Sequence, residues 1–108
     1  MKFWFAVIKR LELRLFDTSK VQNFKGMFAM CTELEYLDIS KFNTSSAKDM
    51  GMMFYGLEKI ESLDVSHFIT VQVSDMYLMF ASYKRITSLD ISKFKAESCT
   101  DTSEMFKL

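Results

Sequence analysis

A repeat of 26 residues runs through this chain and restricts what it can fold into. Met-Phe pairs recur at that step, at Met27-Phe28, Met53-Phe54, Met79-Phe80 and Met105-Phe106. A second signature keeps the same step, at Leu37–Phe42, Leu63–Phe68 and Leu89–Phe94. A fixed period of about 20–50 residues is typical of stacked repeats, in which each unit contacts its neighbours. The repeat therefore predicts a solenoid whose function lies on a repeated surface and not in one pocket.

The repeat accounts for almost the whole chain. Its 108 residues suit one domain. Leu11, Leu13 and Phe16 stand one step before Leu37, Ile39 and Phe42, so they form a degenerate first copy. The predicted organisation is a single repeat domain over 1–108, whose parts are an N-terminal cap (1–10), three full repeats (11–36, 37–62 and 63–88) and a truncated repeat (89–108).

The first half of each unit has the pattern of a β-strand. In the second unit Leu37 and Ile39 are apolar, and Tyr36, Asp38 and Ser40 alternate with them. A period of two predicts a strand with one buried face.

The second half of each unit has the pattern of a helix. Met50, Met53, Phe54 and Leu57 follow the spacing i, i+3, i+4, i+7, which places all four on one helical face. Asp49 precedes this run, and Asp75 and Asp101 precede the later ones, so aspartates are predicted to cap the helices. Thr44 and Thr70 fall between strand and helix and are predicted to lie in turns.

Stacking would let these units share a core. The rings of Phe42, Phe68 and Phe94 are predicted to pile into a column beside one formed by the repeated methionines. The predicted fold is therefore an α/β solenoid of about four strand–turn–helix units with a short parallel sheet.

The pattern L-D-[IV]-S-x-F-x-T-x5-M-x2-M-F, read from Leu37 to Phe80, resembles the BspA-like leucine-rich repeats. More narrowly, it resembles a mycoplasma-type repeat domain of unknown function found in bacterial surface lipoproteins. The resemblance implies a leucine-rich-repeat-like right-handed superhelix and a binding or adhesion role at the cell surface or after secretion. It implies neither catalytic residues nor a cofactor.

Composition excludes several classes of function. The 14 basic and 14 acidic residues balance. The sequence has no basic stripe with interleaved aromatics, so nucleic-acid binding is not expected. The apolar start, Phe3–Ile8, is too short to span a membrane, and we interpret it as the cap; a clipped targeting sequence is the alternative. If the surface location holds, we expect the chain to be a fragment without its export and anchoring parts.

Few residues suggest chemistry. His67 is the one histidine, and its column, shared with Lys41 and Lys93, predicts a surface or turn position. No metal-binding cysteine pair, phosphate loop or nucleophile elbow is present. Cys31 and Cys99 lie in apolar columns of different units, which predicts free, buried thiols and no disulfide. We therefore predict a protein that is not an enzyme and needs no cofactor or metal.

An acidic ladder is the constellation that could carry function. Parallel strands lie about 4.8 Å apart, which would bring Asp38, Asp64 and Asp90 side by side above Glu12. Repulsion would raise the pKa of Asp64 unless hydrogen bonds from neighbouring serines outweigh it. The ladder is then structural, or part of a ligand-facing surface, or a cation site, although its spacing matches no calcium loop.

These observations predict non-catalytic binding of a protein or glycan partner through the sheet face. The predicted binding residues, called the polar face below, are Tyr36, Asp38, Ser40, Ser62, Asp64, Ser66, Ser88, Asp90 and Ser92. Two alternatives stay open, a structural spacer without a ligand and a segment that self-associates end to end.

Overall fold

The computed structural model describes residues 7–85, 87–95 and 104–107. Two short strands, β1 (Arg10–Glu12) and β2 (Tyr36–Asp38), pair in parallel with Leu11 opposite Leu37. Isolated residue pairs continue this parallel arrangement at Asn23–Asp49, Asp49–Asp75 and Ser62–Ser88. Every pair is offset by the sequence period, so consecutive units lie side by side with equivalent residues adjacent.

The predicted helices are absent from the described residues, where turns take their place. The N–H groups of Met50, Met52 and Phe54 donate to carbonyls of the next unit at 2.9, 2.8 and 3.0 Å. The N–H groups of Met53 and Tyr55, each one residue after a donor of this set, bond the carbonyl three positions earlier. An α-helix needs every N–H bound four residues back. Because alternate N–H groups bind across units, only successive turns remain.

The α/β solenoid of strand–turn–helix units, with its leucine-rich-repeat-like superhelix, is therefore a wrong prediction. The apolar spacing did identify buried residues, because Met50, Met53, Phe54 and Leu57 are all 0% exposed. A row of turns that puts every third or fourth side chain inward produces the same apolar pattern as a helix. Apolar spacing reports which side chains are buried, and here it did not report the backbone hydrogen bonding.

Left-handed backbone recurs in the turns at the repeat period. Positive φ angles form one column at Gly26, Met52, Leu78 and Glu104, and a second at Met30, Gly56 and Ser82. Gly26, Met52 and Leu78 are each the third residue of a turn closed by a hydrogen bond, the place where type II turns need positive φ. Glycine occupies only some of these places; Met52 and Leu78 take a positive φ within turns closed by hydrogen bonds.

The capping aspartates keep their acceptor role without a helix. Oδ1 of Asp49 accepts the N–H of Gly51 at 2.9 Å, and Oδ1 of Asp75 accepts that of Tyr77 at 2.8 Å. These bonds close Asx-turns, a local motif that aspartate and asparagine form in non-helical chain. Asp101, the third predicted cap, lies outside the described residues.

A stack of aromatic rings runs through the core. The stacked rings are those of Phe28, Phe54, Phe80 and Phe106, with centroids 5.8, 5.5 and 5.6 Å apart and planes within 12°. The prediction assigned the stack to Phe42, Phe68 and Phe94, whose rings instead tilt against this column at 6.2–6.4 Å. The Met-Phe segments are hydrogen-bonded in register, which brings equivalent rings face to face.

Buried threonines tie each unit to the next. Oγ1 of Thr44 accepts the N–H of Ile69 at 2.8 Å and donates to the carbonyl of the same residue at 2.9 Å. Thr44 is 1% exposed, so this predicted turn residue belongs to the interior. The same two-way bond joins Thr18 to Asn43 and Thr70 to Lys95.

Candidate functional site

The polar face borders two adjoining surface grooves. The larger, of about 810 Å³, is called the main groove here and is lined by Tyr36, Asp38, Ser40, Ser62 and Asp64 among others. A smaller groove of about 230 Å³ adds Ser66, Ser88 and Asp90. Ser92 lines neither groove, but its hydroxyl donates to Asp90 at 2.7 Å. The structure thus brings the nine predicted residues onto one continuous surface, and their binding role stays a prediction.

The main groove lies where the parallel pairing is interrupted. β2 pairs with β1 on one side, and no backbone hydrogen bond joins β2 to residues 61–64, all of which are described. Pairing resumes one unit later, where the N–H of Thr87 donates to the carbonyl of Glu61 at 2.9 Å. The second and third units stay bonded through their turns, so they separate only on this side.

Charged side chains surround the main groove. Its lining includes the carboxylates Glu35, Asp38, Glu61 and Asp64 and the cations Lys59 and Arg85. Nζ of Lys59 is bound to Glu33 at 2.9 Å, so part of the cationic charge is already paired. Arg14 likewise bridges Asp38 at 3.4 Å. The lining has four carboxylates and two cations, a formal excess of two negative charges.

Sequence reasoning missed four of these lining residues. Glu35 and Glu61 occupy one column of the repeat, and Lys59 and Arg85 occupy another. Each column carries the same charge in two successive units. That repetition was a usable signal, but both columns lie outside the polar face, to which the prediction was confined.

Each aspartate of the ladder is held by the serine two residues later. Oδ1 of Asp64 accepts the hydroxyl of Ser66 at 2.6 Å and its N–H at 3.0 Å. Asp90 has the same two bonds to Ser92, at 2.7 and 2.9 Å. Ser66 therefore donates to the Asp64 carboxylate the hydrogen bonds that the structural interpretation of the ladder requires.

Hydrogen bonding outweighs repulsion in the ladder. The Ser66 hydroxyl, and then its backbone N–H, lower the pKa of Asp64 below its ordinary value, although the neighbouring Asp90 charge opposes this. Ser40 and Ser92 lower the pKa values of Asp38 and Asp90 in the same way. Arg14, in the first unit, forms a salt bridge of 3.4 Å with Asp38, and this attraction also favours the charged form of Asp38.

We expect the carboxyl group of Asp64 to titrate with a midpoint below 3.8, its ordinary value. A lowered native pKa gives stability that is present above the unfolded pKa and is lost as pH falls through the native one. NMR titration of the carboxyl carbon measures the midpoint. Ser66→Ala removes the hydroxyl and should move the midpoint upward, while Ser19→Ala, beside Asp17, should leave it unchanged. A midpoint at or above 3.8 in the unmodified protein would contradict this account.

The remaining candidates for chemistry serve packing. Nε2 of His67 lies 3.0 Å from the carbonyl oxygen of Ile39, and its ring meets Phe68 edge-on, so it is half-buried against the chain. Cys31 is free and fully buried, and burial raises the pKa of its thiol to about 11. Cys99 and the apolar segment 1–6 lie outside the described residues.

Two features are absent from the described residues. These residues contain no group of three or more His, Cys, Asp or Glu side chains placed to hold a metal ion. They also contain no helix with the length and apolar character needed to cross a membrane.

Units of 26 residues stacked in register, with one polar face along the strand side, define a repeat protein. The chain matches over residues 1–108 the family described as "Mycoplasma protein of unknown function, DUF285", and it belongs to that family. No curated protein and no solved structure matches the chain.

Proposed function

We propose that this domain binds a protein or glycan partner without catalysing a reaction, and that the polar face is the binding surface. The main groove is the observation that carries the proposal. It is about 810 Å³ in volume and is lined by five residues of the polar face. Ligands usually bind in clefts of about 300–1,000 Å³, where a few polar groups fix the orientation of the ligand.

The chemistry of the surface supports recognition of a polar partner. Tyr36 and Ser40 are exposed at the groove, and the side chain of Asp64 is 74% exposed. The guanidinium carbon of Arg10 lies over the ring of Tyr36, 3.9 Å from the ring centroid, in a cation–π contact. Aromatic and hydroxyl groups beside carboxylates can contact either a peptide or a sugar through hydrogen bonds and stacking.

The proposed location is the cell surface or the secreted fraction. It is supported by the resemblance of the repeat sequence to the BspA-like repeats. Labelling of intact cells with an antibody to this domain tests the location. Signal that requires prior permeabilisation of the cells would contradict it.

The binding proposal is tested with the variant Asp38/Asp64/Asp90→Asn. Asparagine keeps the oxygen that closes the local turn, as Asn43 does with the N–H of Ser45 at 3.0 Å, so the fold should survive. The protein is screened against a glycan array and a displayed library of protein domains. We expect a partner that binds the unmodified domain and loses about tenfold or more in affinity on the triple change, a loss of about 1.4 kcal/mol.

Asp17→Asn is the matched control. Asp17 accepts the N–H of Ser19 at 2.9 Å in the same kind of turn, but it lies outside both grooves. Equal binding by the triple variant would remove the polar face as the site. If neither screen yields a partner, the spacer is favoured, and light scattering then separates a monomeric spacer from a self-associating segment.

A further inference from the structure

We propose that the main groove binds an extended peptide segment that carries lysine or arginine side chains and pairs with the open edge of β2. This inference rests on the proposed binding function and specifies the partner. Three features support it: unpaired backbone along β2, the extended chain in the groove wall, and the charge of the lining residues.

The backbone of β2 is paired on one side only. The N–H of Tyr36 donates to the carbonyl of Lys9 at 3.2 Å, and the carbonyl of Asp38 accepts the N–H of Leu13 at 3.0 Å. Residues of a parallel strand point their backbone groups alternately to opposite sides. The N–H and carbonyl of Leu37 therefore point away from β1, toward residues 61–64.

That second side faces the main groove. Leu37 lines the groove, and no backbone hydrogen bond crosses it from β2 to the third unit within the described chain. Unpaired strand edges are templates for a further strand, and addition of a peptide to such an edge is a common recognition mode. An edge inside a groove is shielded from pairing with large flat surfaces but open to a single extended segment.

The groove wall includes a short length of extended chain. Every residue from Glu35 to Ser40 lines the groove, and the extended part is β2, three residues or about 10 Å of chain. The carbonyl of Ile39, the next residue, accepts the N–H of Phe42 at 3.0 Å, so the open backbone groups are those of Leu37. An added segment would therefore pair at Leu37 and contact the rest of the wall through its side chains.

The charges favour basic side chains on the added segment. Four carboxylates and two cations line the groove. One of each is already paired outside this set, Lys59 with Glu33 at 2.9 Å and Asp38 with Arg14 at 3.4 Å, which leaves the excess of carboxylates unchanged. Complementary charges at the exposed rim of a binding site accelerate association and select among partners. Added salt weakens this electrostatic attraction. An acidic segment would meet the carboxylates of Asp38 and Asp64 on opposite walls.

The test uses the whole domain and a synthetic peptide of eight residues in which lysine alternates with valine, blocked at both ends. We expect saturable binding tighter than about 1 mM, measured by NMR, with the largest amide shifts at Leu37 and its neighbours in the groove wall. The same peptide with glutamate in place of lysine should bind at least about tenfold more weakly. Shifts centred outside the groove, or no saturation, would overturn the proposal.

Two N-methylated forms of the lysine peptide test backbone pairing. Methyl groups on the backbone nitrogens of the lysines, or on those of the valines, remove the N–H donors of one peptide edge. The side-chain charges stay unchanged. Pairing with β2 predicts a loss of about tenfold or more in at least one form. Equal binding by both forms and the parent peptide would show that side chains alone make the contact, which contradicts strand addition.

Protein variants locate the charge effect. Asp38→Asn combined with Asp64→Asn should weaken the lysine peptide about fivefold at low salt, while Asp17→Asn should leave it unchanged. If the double variant and Asp17→Asn changed the affinity for the lysine peptide equally, the charge argument would be overturned. If this peptide fails but a glycan or folded protein still binds through the polar face, strand addition is wrong and the proposed function stands. If no probe binds that face, both are wrong.

Discussion

Replacing Phe54 with alanine is expected to lower the free energy of unfolding by about 3–5 kcal/mol, the range for large aromatic deletions in a core. Phe54 is 0% exposed. Its ring stacks between Phe28 and Phe80 and is also met by Phe68. Removing it leaves a cavity between two units whose backbones are hydrogen-bonded on either side, so the surroundings have little freedom to close the space.

Urea unfolding followed by circular dichroism measures this loss, with the denaturant slope as a check on two-state behaviour. Phe16→Ala is the control, because Phe16 occupies the repeat column of Phe42 and Phe68 but is 61% exposed. We expect it to change stability by less than about 0.5 kcal/mol. A loss below about 1 kcal/mol for Phe54→Ala would mean that the ring stack is not part of the folded core.

Replacing Thr44 with valine is expected to cost about 1–3 kcal/mol, although valine has nearly the same shape. The hydroxyl of Thr44 satisfies both the N–H and the carbonyl of Ile69. Valine fills the space but supplies neither partner. The cost therefore measures the hydrogen bonds that hold the second unit to the third, separately from packing.

Thr87→Val provides the comparison, since Thr87 also bonds a backbone carbonyl of the preceding unit, that of Glu61 at 3.1 Å, but is exposed. Water can replace that bond, so the change should stay within about 0.5 kcal/mol. Hydrogen exchange at Ile69 should also accelerate in Thr44→Val. Equal stabilities of the two valine variants would contradict a structural role for the buried threonine.

The strand pattern was more informative than the helix pattern. Alternation around Leu37 predicted β2 and the exposure of Tyr36. The same alternation around Leu63 and Leu89 forms no strand in the described residues, where only the isolated pair Ser62–Ser88 is found. The predicted helix at Met50–Leu57 was wrong because apolar spacing cannot distinguish hydrogen bonds within a segment from those between units. Positive φ at Met52 and Leu78, which are not glycines, was also beyond prediction, since the turns that contain them are held by hydrogen bonds both within the unit and to neighbouring units.

The arrangement of the candidate site was likewise predicted only in part. The Asp-x-Ser motif identified residues that lie together along one face, because equal positions of stacked units become neighbours. It did not predict that Asp38 and Asp64 would lie on opposite walls of a groove. The motif is the same in both units, and only the interrupted pairing beyond β2 separates them.

The sequence by itself determined the period, the residues that share a surface and the buried residues apart from exceptions such as the exposed Phe16 and the buried Thr44. These properties follow from repetition and from hydrophobic burial, which depend on residue identity and spacing. The tertiary structure alone decided the backbone hydrogen bonds, the ring stack and the main groove. The physical reason is that every backbone carries the same donors and acceptors, so the choice between pairing within a unit, across units or not at all is made by how whole units pack.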